Sequence, residues 1–167
     1  IAYGKAIAGG MTVGMLATRK DILDPCIKMK PPLRMGGTFS GNPMTMAAMD
    51  AFLGYIIQHP ETLQKITDTT TNLVTRTNAH IRQQGYPMVV RQMASMFIFH
   101  TMPDQPVLME DLLHTDMVKL DELDIRTRLN GFVISSLGAN VMSIAHTPDV
   151  IDDLIEKIKK TLVELYS

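Results

Sequence analysis

Residues 43–57 read as a helix that is apolar on nearly every side, through Met44, Met46, Ala47, Ala48, Met49, Ala51, Phe52, Leu53, Ile56 and Ile57. Such a helix needs cover all round, so it belongs inside something larger than itself. Asn42-Pro43 opens it, with Asn as N-cap and Pro at the first helical position. A second helix starts at Pro60-Glu61 and ends at Gly85, and its apolar positions (Leu63, Ile66, Leu73, Val74, Ile81) share one face. The change from all-round to one-sided patterning predicts a domain boundary there, giving 1–58 and 59–167. A handful of short strands cannot cover a helix like 43–57 on every side. The chain is therefore expected to lack part of its own core and to have been entered part-way through.

The rest of the second segment reads as a small α+β unit. Strands are expected at 88–90 and 95–99, then a loop and a helix through Ile125–Leu129 to Gly131, then strands at 132–135 and 141–144. A closing helix has Thr147 as cap, Pro148 at its first position, and an apolar stripe of Val150, Ile151, Leu154, Ile155, Ile158, Leu162 and Leu165. Asp149, Asp152 and Asp153 lie toward its positive end, and Lys157, Lys159 and Lys160 toward its negative end. In the first segment, Gly4, Gly9, Gly10 and Gly14 predict a tight loop. Residues 13–18 predict a short buried strand, 19–25 a short helix stopped at Pro25, and 28–42 a long loop.

Bulk properties narrow the function. The net charge is −1, which argues against a nucleic acid or an anionic membrane held by bulk charge. No apolar run reaches the roughly 18 residues of a membrane span. Cys26 is the single cysteine. It can form neither an internal disulfide nor a Cys-based metal site, so a cytoplasmic setting is expected. The histidines (59, 80, 100, 114, 146) show no metal spacing, and no metal is expected.

Two stretches carry chemistry. Tyr3 to Gly14 presents Lys5 in a glycine-rich segment without other charges. An amine is protonated and poorly nucleophilic in water, and an apolar setting or a neighbouring cation frees it to attack a carbonyl. The competing reading is a solvated lysine in a glycine loop. In Gly36-Gly37-Thr38-Phe39-Ser40-Gly41-Asn42-Pro43, backbone N–H groups, two hydroxyls and a helix N-terminus together suit an anion such as phosphate. Its competing reading is a glycine turn with an ordinary cap.

Together the two segments resemble the class-III aminotransferases. The resemblance rests on Gly4-Lys5, Gly9-Gly10-Met11 with Val13-Gly14, and Gly37 through Pro43. Weaker matches are Ser95-Met96-Phe97 and Ser143-Ile144-Ala145-His146-Thr147. Within the family the glutamate-1-semialdehyde aminomutase branch is the most similar. The resemblance implies an α/β pyridoxal-phosphate (PLP)-dependent transferase fold (fold type I). Residues 1–58 would be the end of the PLP-binding large domain, and 59–167 the small C-terminal domain. It implies PLP as cofactor, Lys5 as the Schiff-base and proton-transferring residue, and Thr38 on the phosphate of a neighbouring subunit's cofactor. The active sites would then be shared in a homodimer acting on an amino acid or amino-aldehyde.

The sequence also departs from that pattern. Thr12 stands where proline is usual, and the strand bearing the pyridine-nitrogen carboxylate, the first phosphate loop and the ring-stacking aromatic would all lie before residue 1. The stretch 135–142 has no arginine for a substrate carboxylate, which weakens an ornithine- or γ-aminobutyrate-type assignment. Arg91, Arg126 and Arg128 are candidates for that role, with surface solvation as the alternative. His146 is expected to cap or pack, and Cys26 to be incidental. Two other functions compete: a non-catalytic segment that folds and dimerises with a separately supplied N-terminal segment, and a nucleotide-binding module built on 36–43.

Overall fold

In the computed structural model, which describes residues 1–33, 36–102, 108–135 and 138–167, the glycine-rich start of the chain is a hairpin. Strand β1 (Ala2–Gly4) pairs antiparallel with β2 (Gly14–Leu16), with Gly4 opposite Gly14. Between them Lys5–Ala8 form a short 3-10 helix. It is closed by Gly9 and Gly10 at φ +59 and +97, a backbone conformation that side chains disfavour. The expected buried strand is instead an exposed one, because β2 has a single strand partner and Leu16 stays 61% exposed. Helix α1 (Lys20–Lys28) runs past Pro25 rather than stopping there. The ring removes one N–H, but the Pro25 carbonyl still accepts from Met29 N at 3.0 Å and completes the last turn.

Helix α2 (Pro43–Gln58) begins as its sequence implies. Asn42 Oδ1 accepts from Met44 N (3.0 Å) and Thr45 N (3.2 Å), with Pro43 inside the first turn. It packs against the Lys5–Ala8 helix, where Ala8 is fully buried. Its own buried residue is Thr45, while Met44 and Ile57 are 72% and 78% exposed. The cover that its all-round apolarity calls for is not supplied within Ile1–Pro60, the first of two compact units.

The second unit is Glu61–Ser167. Helix α3 (Glu61–Gln84) ends in a glycine cap: Gly85 sits at φ +70 while Gly85 N and Tyr86 N donate back to Arg82 O and Ile81 O. Strands β3 (Val89–Met93), β4 (Met96–His100) and β5 (Asn140–Val141) form an antiparallel sheet in that order, with Val90 opposite Phe99 and Phe97 opposite Asn140. Helix α4 (Met117–Leu129) is capped by Asp116, whose carboxylate accepts from Lys119 N. Helix α5 (Pro148–Tyr166) packs on α3 and α4.

The core joins Leu73, Val74 and Ile81 of α3, Val90, Phe97 and Phe99 of the sheet, Leu120 and Leu123 of α4, and Ile151, Ile155, Ile158, Leu162 and Leu165 of α5. Two expected core residues lie outside it: Leu63 is 54% and Val150 46% exposed, each at the first turn of its helix. Thr147 stands at the N-cap of α5, but its carbonyl, not its hydroxyl, does the bonding, accepting from Ile151 N.

Residues 132–135 are not a strand. Phe132 N is taken by Thr127 O in the glycine cap at Gly131, and Ser135 N by Asn140 Oδ1 at 2.7 Å. The strand expected at 141–144 is reduced to β5, since beyond Val141 only Met142 N reaches back, to Ser95 O.

The outer edge of β3 is occupied by a side chain. Asn78 of α3 donates to Val90 O (2.8 Å) and accepts from Val90 N (2.9 Å), filling both backbone positions that Val90 would offer a further strand. Gln92, two residues on, donates to Thr67 O and Thr71 Oγ1 of α3.

Candidate cofactor site

Lys5 opens the 3-10 helix that lies between β1 and β2 and packs on α2. The second candidate, Thr38, lies in the turn that leads into the same helix. That turn is closed by the backbone, Ser40 N donating to Gly37 O at 2.9 Å, and by a side chain, Gly37 N donating to Ser40 Oγ at 2.7 Å. A second turn overlaps it, Asn42 N to Phe39 O, with Gly41 at φ +71. Thr38 and Phe39 stand exposed at the tip.

The two motifs border one cleft. A space of about 320 Å³ is lined by Thr12, Val13 and Gly14, which continue the Lys5 segment, and by Gly36 through Gly41 with Thr45 and Met46. Thr12, Thr38, Ser40 and Thr45 are its hydroxyl-bearing residues, and among the described residues that line it none carries a carboxylate. A Cβ added at Gly14, Gly37 or Gly41 would meet nothing within 4 Å. The backbone therefore borders open space there and can approach a ligand closely. Neutral hydroxyl donors on a bare backbone suit a phosphate, so these residues fit the phosphate end of PLP. The expected contribution of the α2 N-terminus is smaller than the sequence suggested. Its Met44 and Thr45 amides are already bonded to Asn42 Oδ1, leaving the turn itself to meet an anion.

Of the other polar candidates, Cys26 belongs to the first unit and the rest to the second. Arg126 is paired with Glu122, and Arg128 with Asp124, along α4. The Glu122 carboxyl is held below the usual range first by Arg126 and then by Lys119. Arg91 lines a cavity of about 260 Å³ on the outer face of the small sheet, with Met93, Met96, Ile98 and His100 around it. His100 is 7% exposed, and burial, with Arg91 nearby, pushes its imidazole below the ordinary range. His146 Nδ1 accepts from Ser143 N at 3.0 Å and shapes the turn into α5. Cys26 Sγ meets Ile22 O within its own helix. The stretch 135–142 is described except for residues 136 and 137. Among the described residues no group of three His, Cys, Asp or Glu could hold a metal, and no helix is long and apolar enough to cross a membrane.

Sequence reasoning missed two working residues, Ser40 as a closure of the Thr38 turn and Asn78 at the sheet edge. The signal for the first was present, a serine three residues after a glycine in a turn segment, a spacing suited to such local bonds.

Known proteins are similar to this chain in sequence and fold. The profile of the class-III aminotransferases covers residues 1–165. Glutamate-1-semialdehyde 2,1-aminomutase of Hydrogenobaculum sp. (strain Y04AAS1) is 30% identical over 166 residues, which are 97% of this chain and 38% of that protein. Among solved structures, the β-phenylalanine aminotransferase of Variovorax paradoxus superposes with a TM-score of 0.86 at 28% identity, over 98% of this chain and 38% of its own. A transaminase with PLP bound superposes with a TM-score of 0.80 at 22% identity, over 98% of this chain and 38% of its own, a likeness of fold. The chain thus spans somewhat over a third of the length of these relatives. The fold is that of the PLP-dependent transferases of fold type I, and PLP is the cofactor that goes with it. With the profile matched along almost its whole length, the chain belongs to the class-III aminotransferases.

Proposed function

We propose that this chain carries the Schiff-base lysine and a phosphate-holding turn of a PLP-dependent enzyme that transfers or migrates an amino group on an amino acid or amino-aldehyde. The observation that carries the reading is the single cleft bordered by the continuation of the Lys5 segment and by the Thr38 turn. PLP, when bound, supplies the electron sink for breaking bonds at the substrate's amino-bearing carbon. Lys5 Nζ would hold PLP as the neutral amine, and the same amine would serve as base and then acid for the proton at the substrate's amino-bearing carbon. The Thr38 hydroxyl and the turn around it hold the phosphate.

Residues 1–58 act in this reading as the end of the cofactor-binding domain and 59–167 as the small domain. The exposed Met44 and Ile57 of α2 support burial against further protein, and a homodimer with shared sites would provide it. A lone cysteine supports a cytoplasmic setting.

The test is borohydride reduction of the holoenzyme followed by peptide mapping. A pyridoxyl label on Lys5 is expected, and a label on any other lysine, or none, overturns the assignment. The same exposed α2 surface supports a second reading, a non-catalytic folding and dimerisation partner for a separate segment. That reading predicts complex formation without any label.

A further inference from the structure

We propose that Ser40 is a positioning residue: its hydroxyl locks the Gly37–Ser40 turn and thereby holds Thr38 in place for the cofactor phosphate. The inference rests on the phosphate reading above and adds a residue to it.

The turn is glycine-rich on both sides, with Gly36, Gly37 and Gly41, so its backbone has unusual freedom to lose. Two bonds remove that freedom. One, Ser40 N to Gly37 O, is the ordinary closure of a tight turn. The other runs in the opposite sense, Gly37 N to Ser40 Oγ at 2.7 Å, and needs a hydroxyl at this position. Residues 37 and 40 are thus tied twice, and Thr38 and Phe39 are left at the tip.

The surroundings leave room for that hydroxyl. Gly36 has φ +144, and a Cβ there would lie 3.0 Å from Ser40 Oγ. A side chain at position 36 would crowd the serine, and this glycine leaves it room. Because Ser40 Oγ accepts from Gly37 N, Ser40 binds the turn through its lone pair. Ser40 and Thr38 also line the same cleft. Ser40 is itself exposed, so removing its hydroxyl leaves no buried void that would threaten folding.

The experiment compares the PLP dissociation constants of holoenzyme variants, read from cofactor absorbance at equilibrium rather than from turnover. Ser40→Ala is expected to weaken PLP retention by about tenfold, the scale of one lost hydrogen bond. Ser40→Thr, which keeps the hydroxyl, should stay near the parent. Thr38→Val supplies the reference loss. The double variant Thr38→Val/Ser40→Ala should lose less than the sum of the two single losses, because Ser40 acts by holding the turn that presents Thr38 rather than by a separate contact.

Additive losses in the double variant, or parent-like retention in Ser40→Ala, overturn the positioning role while leaving the phosphate reading intact. Loss in Ser40→Thr equal to that in Ser40→Ala overturns it as well. Parent-like retention in Thr38→Val removes the phosphate reading itself.

Discussion

Asn42 caps α2 with a neutral amide, although aspartate caps a helix equally well. Replacing it, Asn42→Asp, separates two functions of this corner of the fold. The carboxylate can still accept from Met44 N and Thr45 N, which now meet Asn42 Oδ1 at 3.0 and 3.2 Å. A negative charge at a helix N-terminus is also favourable by about 0.3–1 kcal/mol. Helix α2 should therefore be as stable as before, or slightly more so. The cost falls on the anion. Asn42 is two residues from Ser40, which lines the cleft, so their Cα atoms are at most about 7.6 Å apart along the chain. A unit charge at roughly 8–10 Å from a phosphate charge, with an effective dielectric constant of about 20–80, repels it by about 0.4–2 kcal/mol. That corresponds to PLP affinity weakened about 2- to 30-fold. The assay is equilibrium PLP binding at low and at high salt, beside amide hydrogen exchange at Met44 and Thr45. Exchange should be unchanged or slower, affinity lower, and the deficit should shrink as salt screens the charge. PLP bound as tightly as in the parent at low salt would show that this turn is not where the phosphate sits.

Lys5→Arg should abolish the visible absorbance and the borohydride label of the holoenzyme, because a guanidinium stays protonated and cannot form the imine; a coloured variant would refute the role. Leu162→Ala, at a fully buried position of α5, should cost about 2–5 kcal/mol in a urea titration; a loss under about 1 kcal/mol would mean that this core relaxes into the space. His100 has its folded pKa lowered, so it must be protonated at a cost in the folded state. Its neutral form favours the fold above the ordinary imidazole range near 6.5, and that contribution is lost as pH falls through this range toward the lower folded value. His100→Gln should flatten the decline of the urea midpoint between about pH 7.5 and 5.5; an unchanged slope counts against it.

What could be read in advance was local. The Asn42-Pro43 start of α2, the ends of α3 and α4 at Gly85 and Gly131, the presence of strands near 88–90 and 95–99, and the α5 stripe all follow from caps, turns and periodicity. These are short-range properties that a linear sequence displays. The failures share a cause: bonds made by particular side chains or caps can outcompete a propensity. Phe132-Val133-Ile134-Ser135 has the composition of a strand, yet its first and last amides are claimed by a helix cap and by Asn140. Pro25 reads as a stop, yet α1 tolerates one missing N–H. In the candidate site, Lys5 and Thr38 are proposed from resemblance, since a lone lysine among glycines is ambiguous on chemistry alone. The restraint by Ser40 depends on a distance, and the competition of Asn42 for the α2 amides depends on a rotamer; neither is written in composition.

Asn78 gives the small sheet a counterfeit neighbour. A strand that exposes its peptide groups is an invitation to any extended chain, including another copy of itself, to extend the ladder, which is how folded domains begin to polymerise. By presenting one donor and one acceptor to Val90, the amide of Asn78 imitates a single residue of such a visitor and ends the series there. At Val90, at least, the outer edge of β3 offers no peptide group to an incoming strand. Asn78→Ala would free both peptide groups of Val90, and the expected outcome is more aggregation during refolding, followed by light scattering; refolding as clean as the parent's would refute a protective role.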